Sequence, residues 1–148
     1  MDHAATTYLD PRVKVAMNLY WEEDFGNASS LYREGRRAKK ALDGARSFIA
    51  HLLGAAPEEI IFTGGGTEAN NLAIFGIARL FGSSTPKCTW ELNSQAPHII
   101  TTKIEHHSVL EPLKVLEKEG MEITYLDVGE DGIVKPEDVK KALRPDTV

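Results

Sequence analysis

The sequence has little that would support disulfides, membrane insertion or binding to polyanions. Its single cysteine, Cys88, cannot form an internal disulfide, so we expect a reducing, cytoplasmic location, although a mature organelle protein would have the same composition. No apolar run approaches the roughly 18 residues of a spanning helix, and the N-terminus does not resemble a signal peptide. The formal net charge of −5 gives no reason to expect nucleic acid or an anionic membrane as a partner.

What is present is the composition of an ordinary globular domain. The 148 residues are 42% hydrophobic and 26% charged, which is typical of one soluble domain. The segment from Arg144 to Val148 resembles a linker that enters a further strand. We therefore expect the sequence to be part of a longer protein.

Residue patterns predict helices and strands that alternate after an N-terminal pair of helices. Asp10-Pro11 is typical of a helix start, and an apolar stripe from Ala38 to Leu52 predicts a longer helix that Gly54 ends. Beyond them, strands are predicted over 59–63, 98–102 and 121–128, and helices over 67–81, 108–119 and 136–143. This order, with short connections, predicts an α/β fold with a parallel sheet covered on both faces.

Two details of this pattern concern connections. Ser108 and Glu111 have the spacing of a capping box at the start of the helix over 108–119, and Gly120 is placed to end it. Residues 82–97 are polar, bounded by proline and without periodicity, so we predict a loop insertion there.

The most informative motif is the glycine run Gly64 to Gly66, which follows a predicted strand and precedes Thr67 at a helix start. Consecutive glycines allow a sharp turn and bring bare backbone close to a ligand. A helix start has unpaired N–H groups and a partial positive charge, both of which favour an anion such as phosphate. The motif therefore predicts a phosphate site, although a glycine turn can also be purely structural.

Histidines follow the next predicted strand. If the strands over 59–63 and 98–102 lie side by side, His106 or His107 projects into the crevice at the Thr67 helix start. An imidazole there could stack on an aromatic cofactor or take part in acid–base chemistry. A structural role for such a histidine pair is the more frequent case, and Lys103 is expected to point to solvent.

The spacing of residues in the two motifs argues against two common kinds of nucleotide-phosphate site and against a metal site. The P-loop lysine and the dinucleotide glycine pattern are both absent, and His106-His107 have poor metal-ligand spacing, so we predict no metal site. A ligand with one phosphate on a flat ring is compatible with the remaining features, the glycine run with Thr67 and the histidines.

Four ordered motifs carry a resemblance to a known family. Residues 2–7, 25–30, 59–73 and 104–110 together resemble the N-terminal part of cysteine desulfurases of the NifS/IscS type, in the class-V aminotransferase group. The resemblance implies pyridoxal 5′-phosphate as cofactor and part of a three-layer α/β/α large domain of a fold-type-I enzyme, with a mainly parallel sheet. It further implies that residues 1–10 border the active site and that 11–148 belong to the large cofactor-binding domain.

The resemblance also assigns roles to individual residues. Thr67, with the backbone of Gly65 and Gly66, resembles the group that binds the cofactor phosphate. His106 resembles the catalytic histidine that stacks on the pyridine ring and shuttles protons. The segment with Asp2, Ala4 and Thr6 resembles the loop beside the substrate.

The same resemblance places three catalytic groups beyond Val148: the aspartate on the pyridine nitrogen, the Schiff-base lysine and the cysteine that accepts sulfur. We therefore expect this chain alone to be inactive. The intact enzyme would convert L-cysteine to L-alanine and pass persulfide sulfur to an acceptor protein for iron–sulfur clusters or other thio-cofactors. Its partners would include the missing C-terminal half or a homodimer partner.

Other interpretations of the sequence stay open at this point. A selenocysteine lyase acting on L-selenocysteine, or another class-V enzyme, would share these residues, and the 82–97 insertion is similar to one in selenocysteine lyases. A non-catalytic binding or assembly module could keep the fold without the chemistry. A generic phosphate-binding α/β protein would leave the histidine motif unexplained.

Overall fold

The computed structural model describes residues 5–82 and 97–148. Its contacts divide the chain into two units, Met1–Phe62 and Thr63–Val148. Within the described ranges, no helix has the length and hydropathy needed to cross a membrane. Nearly all of the predicted insertion at 82–97, including Cys88, lies outside the described residues. Asp2 and Ala4 also lie outside them.

The first unit consists of helices joined by short connections. Its elements are α1 (Pro11–Glu22), α2 (Arg33–Leu53) and a 3-10 turn (Pro57–Glu59). The predicted start of α1 is confirmed, because Asp10 accepts a hydrogen bond from the Arg12 backbone N–H at 2.8 Å and Pro11 is the first helical residue. Gly54 ends α2 in the left-handed conformation at φ 66°, which glycine adopts without steric cost.

The predicted buried strand over 59–63 is wrong. The chain makes a 3-10 turn and then runs extended, with φ −95° and ψ 121° at Ile60, but no described residue pairs with it as a strand. Ile61 and Phe62 are 66% and 42% exposed. The local preference for extended backbone is thus met, whereas a strand also needs a neighbouring backbone for its hydrogen bonds.

The extended segment is instead held by an arginine of α2. The Arg46 guanidinium donates a hydrogen bond to the Ile60 carbonyl and lies 4.9 Å from the centre of the Phe62 ring. Such cation–π contacts attract because the ring face is negative. Arg46 therefore fixes the chain just before the glycine run.

The second unit has the predicted alternation of helices and parallel strands. Its elements are α3 (Gly66–Gly82), β1 (His98–Thr102), α4 (His107–Lys118), β2 (Glu122–Leu126) and α5 (Pro136–Ala142). The two strands pair in parallel, from His98 with Glu122 to Thr102 with Leu126. A single parallel bridge also joins His98 to Thr147 on the other side of β1. The α/β class is confirmed, as a partial α/β fold.

One hydrophobic cluster joins the helices and strands of this unit. Leu113 and Leu116 of α4 are 1% and 2% exposed and pack with Ala78 of α3 and with Met121, which directly precedes β2. Partly buried apolar residues surround them: Ile74, Phe75, Ile99, Val109 and Ile123. Because α3 and α4 pack on each other here, the first turns of both helices are held in fixed positions.

Candidate functional site

Thr67 and His106 line one pocket of about 470 Å³ in the second unit. Its polar lining residues are Thr67, Asn71, His106, His107, Ser108 and Glu111, and its apolar ones are Phe75, Pro112 and Val115. The two predicted motifs thus come together by a route other than the predicted one. Packing of α3 on α4 brings them into one pocket, not two paired strands.

The glycine run lies at the start of α3 and is fixed by two hydrogen bonds. The Gly64 N–H donates to Glu68 Oε2 at 2.6 Å, and the Thr63 hydroxyl donates to the Gly65 carbonyl at 3.1 Å. The positive-φ glycines of the described chain are Gly54, Gly120 and Gly132, so none of the three glycines in the run uses a left-handed backbone. The turn itself therefore does not demand glycine there.

Crowding does not demand glycine at Gly65 or Gly66 either. A Cβ built on either residue meets no atom within 4 Å. The side of the backbone that a side chain would occupy is therefore open, which is the condition for close approach by a ligand. Gly64 differs, because its Cβ would lie 3.1 Å from Glu68 Oε2.

The start of α3 can bind an anion. The helix begins at Gly66, so the N–H groups of its first turn have no partner within the helix. Glu68 binds the N–H of Gly64, outside the helix, and so does not occupy those of Gly66 and Thr67. The Thr67 hydroxyl is exposed and has no hydrogen-bond partner among the described residues, so it can donate to the same anion.

His106 forms the N-cap of α4, which corrects the predicted capping box of Ser108 and Glu111. Its Nδ1 accepts the Ser108 backbone N–H at 3.1 Å and lies 2.9 Å from Ser108 Oγ. Glu111 instead accepts a hydrogen bond from Lys114 at 2.7 Å. The His106 ring is therefore held at the start of α4, and its exposed side faces the pocket.

Asn70 and Ser108 complete this arrangement, and the sequence pattern indicated neither of them as part of the site. Asn70 Nδ2 donates to Ser108 Oγ at 2.8 Å, which joins α3 to the first turn of α4, and Ser108 is only 8% exposed. The available signal was spacing: Asn70 follows Thr67 by three residues, so both lie on one side of α3.

Both helices carry a carboxylate near the pocket, Glu68 in the first turn of α3 and Glu111 in α4. The hydrogen bond from Lys114 lowers the pKa of Glu111, so this carboxylate stays ionised at neutral pH. His107 is 85% exposed, with Nδ1 4.0 Å from Glu111. Both helices begin at the pocket, but His106 already accepts an N–H of the first turn of α4, so a ligand's anionic group is favoured at the start of α3.

The remaining candidates lie elsewhere. Thr6 is exposed and belongs to the first unit, so its role beside a substrate stays a prediction. Lys103 is exposed, as predicted, and pairs with Asp127 at 2.8 Å. A groove of about 590 Å³ in the first unit is lined mainly by apolar residues, and its one carboxylate, Asp24, pairs with Arg37.

Comparison with known proteins identifies the family. The sequence matches the model of the aminotransferase class-V family over residues 1–148. The chain belongs to this family.

Individual relatives are similar over the whole chain but are much longer. The chain is 49% identical to a cysteine desulfurase IscS of Dictyoglomus turgidum and 48% identical to a putative cysteine desulfurase IscS 1 of Bacillus subtilis. All 148 residues align in both cases, and they span 35% and 36% of those relatives. The chain therefore spans about a third of the length of these curated relatives.

Solved structures are similar in fold over nearly the same residues. A NifS-like protein matches with a TM-score of 0.84 and 35% identity, over 99% of this chain and 37% of that one. A structure described as SspA in complex with cysteine matches with a TM-score of 0.82 and 36% identity, over 99% of this chain and 39% of that one.

Proposed function

We propose that this chain supplies the phosphate-binding and ring-stacking part of a pyridoxal 5′-phosphate site in a cysteine desulfurase. The observation that carries this proposal is the single pocket lined by both Thr67, at the start of α3, and His106, the cap of α4. Membership of the class-V aminotransferase family and relatives named cysteine desulfurases support it.

The residues present fit the chemistry of this cofactor. Its phosphate needs several donors and a positive potential, which the Thr67 hydroxyl and the first N–H groups of α3 provide. The open backbone at Gly65 and Gly66 leaves room for phosphate oxygens. The His106 ring offers a flat surface for the pyridine ring, and when bound the cofactor supplies an electron sink for reactions at the substrate's α-carbon.

We infer that L-cysteine is the substrate of the complete enzyme, which the relatives' names and the cysteine-bound SspA structure support. Cysteine would pass its sulfur to an enzyme thiolate and leave as L-alanine. The family's cofactor-binding lysine and sulfur-accepting cysteine have no counterpart in the motifs matched here. We therefore propose that residues 1–148 bind the cofactor but do not by themselves release sulfide.

The wider setting is also proposed. As partners we propose a sulfur acceptor protein and either the C-terminal half or a homodimer partner. The single cysteine supports a reducing compartment such as the cytoplasm.

Binding of two vitamin B6 compounds tests the phosphate site. Pyridoxine 5′-phosphate and pyridoxine share the ring but only the first has a phosphate, and neither has an aldehyde that would react with surface lysines. Thr67→Val removes the hydroxyl with little change of shape. Hydrogen bonds to charged groups contribute about 1.5–3 kcal/mol, so we expect titration calorimetry to show roughly 10- to 150-fold weaker binding of pyridoxine 5′-phosphate and unchanged binding of pyridoxine.

Thr101→Val is the matched control, because Thr101 lies in β1, does not line the pocket and has no side-chain hydrogen bond among the described residues. It should bind both compounds like the unaltered chain. An equal loss for both compounds in Thr67→Val, or no loss, would contradict a phosphate site at α3. Sulfide release from L-cysteine by the cofactor-loaded 148-residue chain would contradict its inactivity, and release of selenide only from L-selenocysteine by the complete enzyme would contradict the substrate.

A further inference from the structure

We propose that Ser108 and Asn70 are positioning residues that hold the His106 ring in the tautomer whose proton is on Nε2. This assignment rests on hydrogen-bond geometry alone. Its consequence for the cofactor rests on the proposed function.

The first step concerns Nδ1 of His106. A backbone N–H can only donate a hydrogen bond, and the Ser108 N–H points at Nδ1 from 3.1 Å. Nδ1 must therefore present its lone pair, which leaves the proton of a neutral ring on Nε2. The position of the proton follows from the hydrogen-bond network, since the network decides between the two tautomers.

The second step concerns the direction of the side-chain bonds. Asn70 Nδ2 donates to Ser108 Oγ at 2.8 Å, and Ser108 Oγ lies 2.9 Å from the same Nδ1. Because Nδ1 carries no proton, a hydrogen bond between it and Ser108 Oγ must have the hydroxyl as its donor. The bonds run in one direction, from Asn70 through Ser108 to His106, and Ser108 is buried, so water does not readily replace either partner.

The third step concerns what His106 can then do. Its one lone pair accepts the Ser108 N–H and lies beside the Ser108 hydroxyl, and its Nε2–H has no partner among the described residues. In this tautomer His106 offers a ligand in the pocket its flat ring face and one N–H donor, at Nε2.

Asn70 also connects the two parts of the pocket. Thr67 lies on α3 and His106 caps α4, and the Asn70–Ser108 hydrogen bond is the side-chain link between these helix starts among the described residues. If it fixes the distance between phosphate donors and ring, its loss must weaken binding of a ligand that uses both.

Nitrogen NMR of the ¹⁵N-histidine-labelled chain tests the tautomer without any ligand. At about pH 8, where histidines are ordinarily neutral, we expect His106 Nδ1 to be unprotonated and Nε2 to carry the proton. Exposed His51 of α2 has no side-chain hydrogen bond among the described residues and serves as the internal reference for a free ring. His106→Gln assigns the signal. A proton on Nδ1 of His106 would overturn the assignment.

Variants test the two positioning residues. Ser108→Ala and Asn70→Ala should each move the His106 Nδ1 signal and weaken pyridoxine 5′-phosphate binding about three- to tenfold, the usual effect of one neutral hydrogen bond. Ser108→Thr, which keeps the hydroxyl, should restore both properties. Because Asn70 acts through Ser108, the double alanine variant should bind no more weakly than Ser108→Ala. Equal losses from Asn70→Ala in both backgrounds would refute positioning through Ser108.

The two proposals fail in distinguishable ways. An unprotonated Nδ1 in a chain that binds no pyridoxine 5′-phosphate would retain the tautomer and reject the cofactor site. A protonated Nδ1 in a chain whose binding of pyridoxine 5′-phosphate depends on Thr67 would reject the tautomer and retain the cofactor site.

Discussion

Replacing Gly66 by alanine should stabilise the fold and weaken ligand binding at the same time. Gly66 is the first residue of α3, its φ is not positive, and a Cβ there meets no atom within 4 Å. Alanine can therefore adopt the native backbone conformation, while its unfolded chain has fewer conformations to lose. Such substitutions stabilise by about 0.4–1 kcal/mol, and the gain should fall at the low end because Gly66 lies at a helix end.

Ligand binding should respond in the opposite direction. If phosphate oxygens contact the bare backbone at Gly66, a methyl group occupies part of their space and removes the close approach. We expect pyridoxine 5′-phosphate to bind at least about tenfold more weakly to Gly66→Ala, a cost of about 1.4 kcal/mol. Urea unfolding followed by circular dichroism measures the first effect, and titration calorimetry measures the second.

Two glycines of α2, Gly44 and Gly35, provide controls for Gly66→Ala. Gly44 has open space around its Cβ position, so Gly44→Ala should stabilise by up to about 1 kcal/mol without changing ligand binding. Gly35 is buried, and a Cβ there would lie 2.6 Å from the Asn27 carbonyl oxygen and still closer to that of Ser30, so Gly35→Ala should destabilise strongly. If Gly66→Ala destabilises as Gly35→Ala does, the glycine is required by the structure. If Gly66→Ala leaves binding unchanged, the ligand does not approach the backbone there.

Two further predictions concern the core and a buried histidine. Leu113→Ala should lower the free energy of unfolding by about 2–5 kcal/mol, because Leu113 is 1% exposed. Leu52→Ala, at a position that is 67% exposed, should lower it by well under half as much. Equal losses in urea unfolding would contradict the assigned core. Burial lowers the pKa of His98 below its ordinary value of 6.5, so the unfolded chain takes up a proton first as the pH falls. The free energy of unfolding should therefore decrease below about pH 6.5, and this group should contribute a slope of at most about 1.4 kcal/mol per pH unit. The slope should be smaller in His98→Gln. An unchanged slope would contradict the role of His98.

Local signals in the sequence predicted most of the helices, because each helix is defined by residues close together in the chain. Asp10-Pro11 and Gly54 act within one turn of the helices they begin and end, and their roles are confirmed. The strand over 59–63 could not be judged in this way, since pairing depends on a second backbone that sequence periodicity does not reveal.

Two residues of the candidate site were predictable from the sequence, but its assembly was not. Thr67 and His106 each lie in a motif, so the sequence alone was enough to single them out. The contact between α3 and α4 that brings them together depends on packing around Leu113, and the Asn70–Ser108 hydrogen bond crosses 38 positions of the chain. The N-cap was misassigned because Ser108 has the expected side chain, whereas an imidazole nitrogen at His106 does the same task.

The buried His98 has a consequence for how the sheet assembles. Its Nδ1 lies 2.8 Å from Thr147 Oγ1 and its Nε2 lies 2.7 Å from Thr124 Oγ1, so hydroxyls from both neighbouring segments satisfy one ring. A shift of either neighbour by one residue would turn its threonine to the opposite face and leave a fully buried ring nitrogen without a partner. His98 therefore discriminates against misregistered pairing on both edges of β1, and this single side chain helps the folding chain reject the wrong strand alignments.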